Sequence, residues 1–175
     1  MSRTFAIIGC SATKKEGIAP AGELYCSDLF NKKKQWCQAK GIPHYVLSSC
    51  YGLLAMDREI QAYDIRITQL EANRRAAWAW SVRSQIVDRG YGPGDKCLFL
   101  AGTEYLKPLE GHFVGLKIEV VRPLAGKAIG QQKKWLKYAI EEINRLRCGP
   151  PGSSMQACCQ FESGGSHPGR SLPVP

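Results

Sequence analysis

Four short segments of this chain gather residues able to bind or act on a polar ligand, and each follows an apolar run. Gly9-Cys10-Ser11-Ala12-Thr13-Lys14-Lys15 follows Thr4-Phe5-Ala6-Ile7-Ile8. Ser48-Ser49-Cys50-Tyr51-Gly52 follows Tyr45-Val46-Leu47, Ala101-Gly102-Thr103-Glu104-Tyr105 follows Cys97–Leu100, and Arg122-Pro123-Leu124-Ala125-Gly126 follows Lys117–Val121. Small residues let backbone approach a ligand closely, hydroxyls donate hydrogen bonds, and lysine and arginine supply charge for an anion. Lys14, Lys15 and Arg122 are therefore candidate phosphate holders, although a lysine amine can also serve as a nucleophile. Ser11, Ser49 and the backbone at Gly102 are candidate donors to a ligand. A plain α/β domain also carries turn residues at such points, but fewer hydroxyls, tyrosines and lysines together.

Acid chemistry has several candidates. Asp64 lies in the stretch after Gly52, about a dozen residues with little periodicity, and loops of that length in compact domains are often functional. It is the first candidate to position water or supply a fixed negative charge, with Glu104 behind it. A helix cap or solvated acid explains Asp64 equally well, Glu104 suits a helix start, and Glu23 suits pairing with a lysine. Tyr25, Tyr51, Tyr63 and Tyr105 fall in loops or near strand ends, where a ring can stack on a base while its hydroxyl holds a polar edge. Tyr51 and Tyr105 are the candidates for base contact. Cys10 and Cys50 lack a neighbouring histidine to activate them, and His44, His112 and His167 do not cluster.

The elements that would position these groups alternate. Thr4–Gly9 reads as a buried first strand. Ser27-Asp28 open a helix over Leu29–Lys40 that stops at Gly41; Leu29, Phe30, Trp36 and Cys37 mark its apolar face, and Lys32, Lys33 and Lys34 read as a solvated face able to extend a phosphate track. A second strand covers Tyr45–Leu47. A long helix is expected over Thr68–Arg89, opened by a Thr68-x-x-Glu71 capping box, with Ala72, Ala76, Ala79, Val82 and Ile86 on one stripe and Trp80 opposite. Strands at Cys97–Ala101 and Lys117–Val121 and a helix over Gln131–Arg147 complete the order. That order implies an α/β fold: a small three-layer arrangement, a parallel sheet with helices on both faces. In such a sheet the four clusters converge on one edge, the edge at which ligands bind.

Composition adds a partner class. Lysine and arginine number 24 against 15 acids, a net charge of +9 over 175 residues. That excess points to nucleic acid or a phosphorylated substrate. Residues 148–175, rich in Gly, Pro and Ser and carrying one acid and one arginine, read as a disordered tail beyond a domain spanning 1–147. The full charge thus belongs to the folded part. The eight cysteines contain no Cys-x-x-Cys and fit no zinc template, so neither metal nor other cofactor is expected; Cys148, Cys158, Cys159 and His167 are the one group with ligand chemistry, set in low-complexity sequence. No membrane-spanning run, basic anchor or signal peptide stands out, so the expectation is a cytoplasmic protein with no obligate protein partner.

The motifs also carry a resemblance. Cys10-Ser11-Ala12-Thr13-Lys14-Lys15, Glu23-Leu24-Tyr25-Cys26-Ser27-Asp28-Leu29-Phe30, Leu47–Leu54 with Tyr63-Asp64, and Pro123-Leu124-Ala125-Gly126 with Ile129–Leu136 resemble a family of uncharacterised bacterial and phage proteins over most of residues 5–136. The first block is also similar to one in archaeosine synthases and archaeal tRNA-guanine transglycosylase relatives, in a region of uracil-DNA-glycosylase-like fold. Anti-phage DNA glycosylases that remove glucosylated hydroxymethylcytosine look similar in size and character. The resemblance implies recognition of a flipped nucleobase and cleavage of its N-glycosidic bond, with phage DNA carrying modified bases as partner. The acid and histidine blocks of familiar uracil-DNA glycosylases are not recognisable here, so no catalytic residue carries over from them, and no cysteine spacing matches their iron–sulfur clusters. A tRNA- or nucleotide-modifying transferase, or a non-catalytic nucleic-acid-binding module, are the other expectations.

Overall fold

β1, Thr4–Gly9, is buried on both faces, and this explains its unbroken apolar run. Phe5 and Ile7 point into one core and Ala6 and Ile8 into the other, all with no exposed surface. Each large side chain so buried contributes about 1.5–3 kcal/mol. A computed structural model describes residues 2–148. After β1 come β2 (Ile18–Pro20), α1 (Ala21–Leu24), α2 (Asp28–Lys40), β3 (His44–Ser48), β4 (Gly52–Leu54), β5 (Glu59–Gln61), a 3-10 turn (Ile67–Gln69) and α3 (Ala72–Asp88). Then follow β6 (Lys96–Leu100), α4 (Thr103–Leu106), α5 (Glu110–Gly115), β7 (Glu119–Val121) and α6 (Ile129–Cys148).

The main sheet has the order β4-β3-β1-β6-β7. β3 and β6 flank β1 in parallel, β7 extends β6 in parallel, and β4 closes the other edge antiparallel to β3. α2 and α6 pack together over the face carrying Ala6 and Ile8; α3 and α5 cover the face carrying Phe5 and Ile7. The expected α/β architecture, a mostly parallel sheet between two helical layers, is therefore present. The chain leaves β1 toward β3 and then crosses to β6 on the opposite side, so the direction of winding reverses between β1 and β6. That is the topological switch point, where a crevice opens beyond the strand ends.

Local chemistry sets the element ends. Ser27 caps α2 by accepting the Phe30 backbone N–H, and Gly41 ends it in the left-handed region at φ 65°, which glycine adopts without strain. Cys37 and Cys97 are fully buried small hydrophobes.

Four expectations are corrected. The stretch after Gly52 is not an irregular loop: β4 and β5 lie within it, and β5 pairs antiparallel with β2 in a separate two-stranded ribbon. α3 begins at Ala72, not Thr68, because residues 67–69 form a 3-10 turn closed by the Arg66 backbone N–H donating to Gln69 Oε1 at 2.8 Å. The Thr68–Glu71 box is not made, and Glu71 is the N-cap with no side-chain cap bond. The buried stripe of α3 runs through Trp78, Ala79, Val82 and Ile86, leaving Ala72 and Ala76 exposed. Trp80 is exposed, its ring edge-on to His112 at 4.7 Å. The tail beyond Cys148, with the remainder of the Cys148–His167 group, lies outside the described residues. Among those described, no group of three or more His, Cys, Asp or Glu is arranged to hold a metal, and no helix is long and apolar enough to cross a membrane.

Candidate active site

The switch point holds a crevice of about 460 Å³, within the range of small-molecule sites. Its floor is apolar: Phe30 from α2, Phe99 and Leu100 from β6, Leu124 from the loop after β7. Polar groups converge on its rim from four segments. Cys10 and Ser11 follow β1, Gly102, Thr103 and Glu104 follow β6, Arg122 and Lys127 follow β7, and Gln132 comes from α6.

Gly9 brings the first two segments together. A β-carbon there would stand 2.8 Å from Ala101 Cβ, so the ends of β1 and β6 meet at this distance only without a side chain. Gly102 has a related role, since the Glu104 carboxylate folds back over its Cα into the space a β-carbon would occupy. Next to these residues Arg122 Nη2 donates to Thr103 Oγ1 at 2.9 Å, and in the loop after β7 Lys127 Nζ donates to the Pro123 carbonyl at 3.3 Å. The rim thus carries one carboxylate against several cationic and hydroxyl groups.

Lys33 is the unexpected member. It is 9% exposed, lines the crevice from α2, and makes no ion pair among the described residues. Burial lowers its pKa to about 8, with the Glu104 carboxylate opposing the shift. The reading of Lys32–Lys34 as one solvated face is corrected accordingly. Lys32 pairs with Asp28 at 3.1 Å, Lys34 donates to the Gly22 carbonyl, and Lys33 turns inward. The signal was in its position: three residues after Phe30 and four before Cys37, it sits on the apolar stripe. Lys127 and Gln132 were not among the candidates, although Lys127 directly follows the Arg122–Gly126 cluster and Gln132 lies in the Ile129–Leu136 block.

Of the sequence candidates, Ser11, Gly102, Glu104 and Arg122 come together at the crevice. Ser11 Oγ also donates to the Thr13 carbonyl at 2.9 Å. The others lie outside it. Tyr105 is buried behind the crevice wall, its hydroxyl 3.1 Å from Cys10 Sγ. Ser49 is buried and donates to the Ile65 carbonyl, while Tyr51 is exposed, its hydroxyl donating to the Gln61 carbonyl at 3.3 Å. Lys15 Nζ lies 3.8 Å from Glu23, and Lys14 Nζ sits 4.7 Å from the centre of the Tyr63 ring. Asp64 is exposed and does not line the crevice.

Behind this second group runs a hydroxyl chain. Ser48 Oγ accepts the backbone N–H of Cys50 and Tyr51 and donates to the Tyr63 hydroxyl at 2.7 Å, and Tyr63 meets the Tyr25 hydroxyl at 2.9 Å. Burial pushes the Tyr63 phenol up to about 12 and those of Tyr25 and Tyr105 higher, so all three stay neutral and fix the β1 and β3 loops. A depression of similar volume on the β4–β5 flank carries no buried ionisable side chain, and its Arg89 is already committed to the Gln85 and Leu53 carbonyls.

Fold and site together define a doubly wound α/β protein with a basic, ligand-sized crevice at its switch point. The chain belongs to DUF6884, a family of unknown function whose model matches residues 5–138. No curated protein and no solved structure matches it.

Proposed function

We propose that this protein is a DNA glycosylase that takes a modified base, flipped out of the duplex, into the switch-point crevice and cleaves its N-glycosidic bond. The observation that carries the reading is Glu104, one carboxylate on a crevice rim otherwise furnished with Arg122, Lys127 and hydroxyl donors. Cleavage builds positive charge on the sugar and negative charge on the departing base. Glu104 faces the sugar, where its charge stabilises the cationic transition state and orients the attacking water. Ser11, its hydroxyl turned from the Thr13 carbonyl, and the Gly102–Thr103 segment donate to the base as it leaves. Phe30, Phe99 and Leu124 supply an apolar bed for the ring, and Arg122 and Lys127 hold flanking phosphates. The net charge of +9 suits a polyanionic substrate.

Glucosylated hydroxymethylcytosine, the base implied by the motif resemblance, is the first substrate to test. Purified protein is incubated with unmodified DNA, with glucosylated phage DNA and with tRNA; released base is measured by mass spectrometry and abasic sites by alkaline cleavage. Free base and alkali-labile sites from modified DNA alone support the reading. Their absence from every DNA tested overturns it, and modification of tRNA without abasic sites would favour a transferase.

A further inference from the structure

We infer that Lys33 is an amine nucleophile for C1′ of the target sugar, giving the protein a lyase activity that breaks the DNA strand at the abasic position. The inference deepens the glycosylase reading and rests on it for the site, because the crevice that would receive the nucleotide is the one Lys33 lines. Three observations carry it. Lys33 enters from α2, beside Phe30 on the crevice floor, and is nine-tenths buried, so the chain spends buried surface on an ammonium where an apolar residue would pack. No carboxylate or carboxyl terminus pairs with it among the described residues, although neighbouring lysines on the same helix are engaged with Asp28 and Gly22. A carboxylate, Glu104, lines the same crevice without forming an ion pair with it, and can accept a proton. Desolvation also lowers the amine's proton affinity toward neutrality, which gives a usable fraction of free amine.

The chemistry balances without an oxidant, reductant or co-reactant beyond water. The Lys33 nitrogen lone pair adds to C1′ of the ring-opened abasic sugar, and the carbinolamine loses water to give a protonated imine. The imine acidifies C2′; Glu104 takes the C2′ proton, and the C–H electron pair becomes the C2′–C3′ double bond. The C3′–O bond breaks, and the 3′ phosphate leaves with its electron pair. Water then hydrolyses the imine and returns the free lysine.

The test supplies the abasic site ready-made, so that it does not depend on base excision. The full-length protein is mixed with an oligonucleotide carrying one preformed abasic site, in the presence of borohydride, which reduces an imine to a stable amine. The expected result is a covalent protein–DNA adduct whose tryptic mass maps to Lys33. Lys33→Met and Lys33→Arg should lower its yield by about tenfold or more, while Lys134→Met on the outer face of α6 leaves it unchanged. Thermal unfolding of each variant establishes that it is folded. Base release from modified DNA with no adduct on abasic DNA overturns this inference and leaves the glycosylase reading standing. A Lys33 adduct with no base release from any DNA supports the inference and overturns that reading. An adduct that maps to another amine, or survives both Lys33 substitutions, overturns the inference.

Discussion

The hydroxyl of Tyr105 stands 3.1 Å from Cys10 Sγ, tying the helix after β6 to the loop after β1 across the switch point. Cys10 is therefore held as a bracing residue on the crevice wall, with a phenol in the place where an activated thiol would need a base. Tyr105→Phe should cost about 0.5–1.5 kcal/mol of stability by removing this contact. Cys10→Ser, which keeps a hydrogen-bonding group, should retain base release within a few-fold of wild type, as a rate assay on modified DNA would show. Loss of activity in a folded Cys10→Ser protein would make the thiol a participant.

Lys33 leaves a pH signature in stability. In the unfolded chain a lysine titrates at about 10.4, whereas burial brings Lys33 to about 8 in the fold. Between those values the unfolded chain binds more protons, so the Lys33 contribution to stability rises with pH across that window. Below pH 8 the fold carries a desolvated ammonium. Lys33→Met should thus be more stable than wild type at neutral pH, by up to about 3 kcal/mol, with the difference shrinking as pH approaches about 10. Urea unfolding across this range measures it.

At the opposite end of the sheet the chemistry is structural. Asp95 accepts from the Arg3 guanidinium at 2.8 Å, the Arg3 backbone N–H at 2.9 Å and the Gly92 backbone N–H at 3.0 Å, joining the starts of β1 and β6. The Arg3 side-chain bond leads these in holding its pKa down to about 2. A depressed carboxylate stabilises the fold above its unfolded value of about 4, and that stabilisation is lost as pH falls toward 2. Asp95→Asn should be less stable than wild type at neutral pH, the two converging in acid, while base release by the folded variant is unchanged.

Legibility from sequence followed the length and consistency of each local signal. α2 was readable at both ends because Ser27 and Gly41 carry chemistry specific to caps, and β1 because four consecutive apolar residues, Phe5–Ile8, buried on both faces leave no alternation to confuse. β4 and β5 were not, since three-residue strands show no period, and β5 is stabilised by a distant partner, β2. At the start of α3 two capping possibilities overlapped, and the Arg66–Gln69 turn prevailed over Thr68–Glu71. The site was half legible for a similar reason. Residues following parallel strands, such as Ser11, Glu104 and Arg122, could be brought together from topology alone. The place of Lys33 on the helix outweighs its charge, and Asp64 stood out from an irregular-looking segment and from the Tyr63-Asp64 block of the resemblance.

The most direct measurement compares the rate of base release from glucosylated DNA by Glu104→Gln and Asp64→Asn. Glu104 lines the crevice and Asp64 does not. The expected result is a loss on the order of 10² to 10⁴-fold for Glu104→Gln, with Asp64→Asn close to wild type. A folded Glu104→Gln protein that releases base at the wild-type rate, or an Asp64→Asn protein that releases none, would contradict the assignment of chemistry to the switch-point crevice.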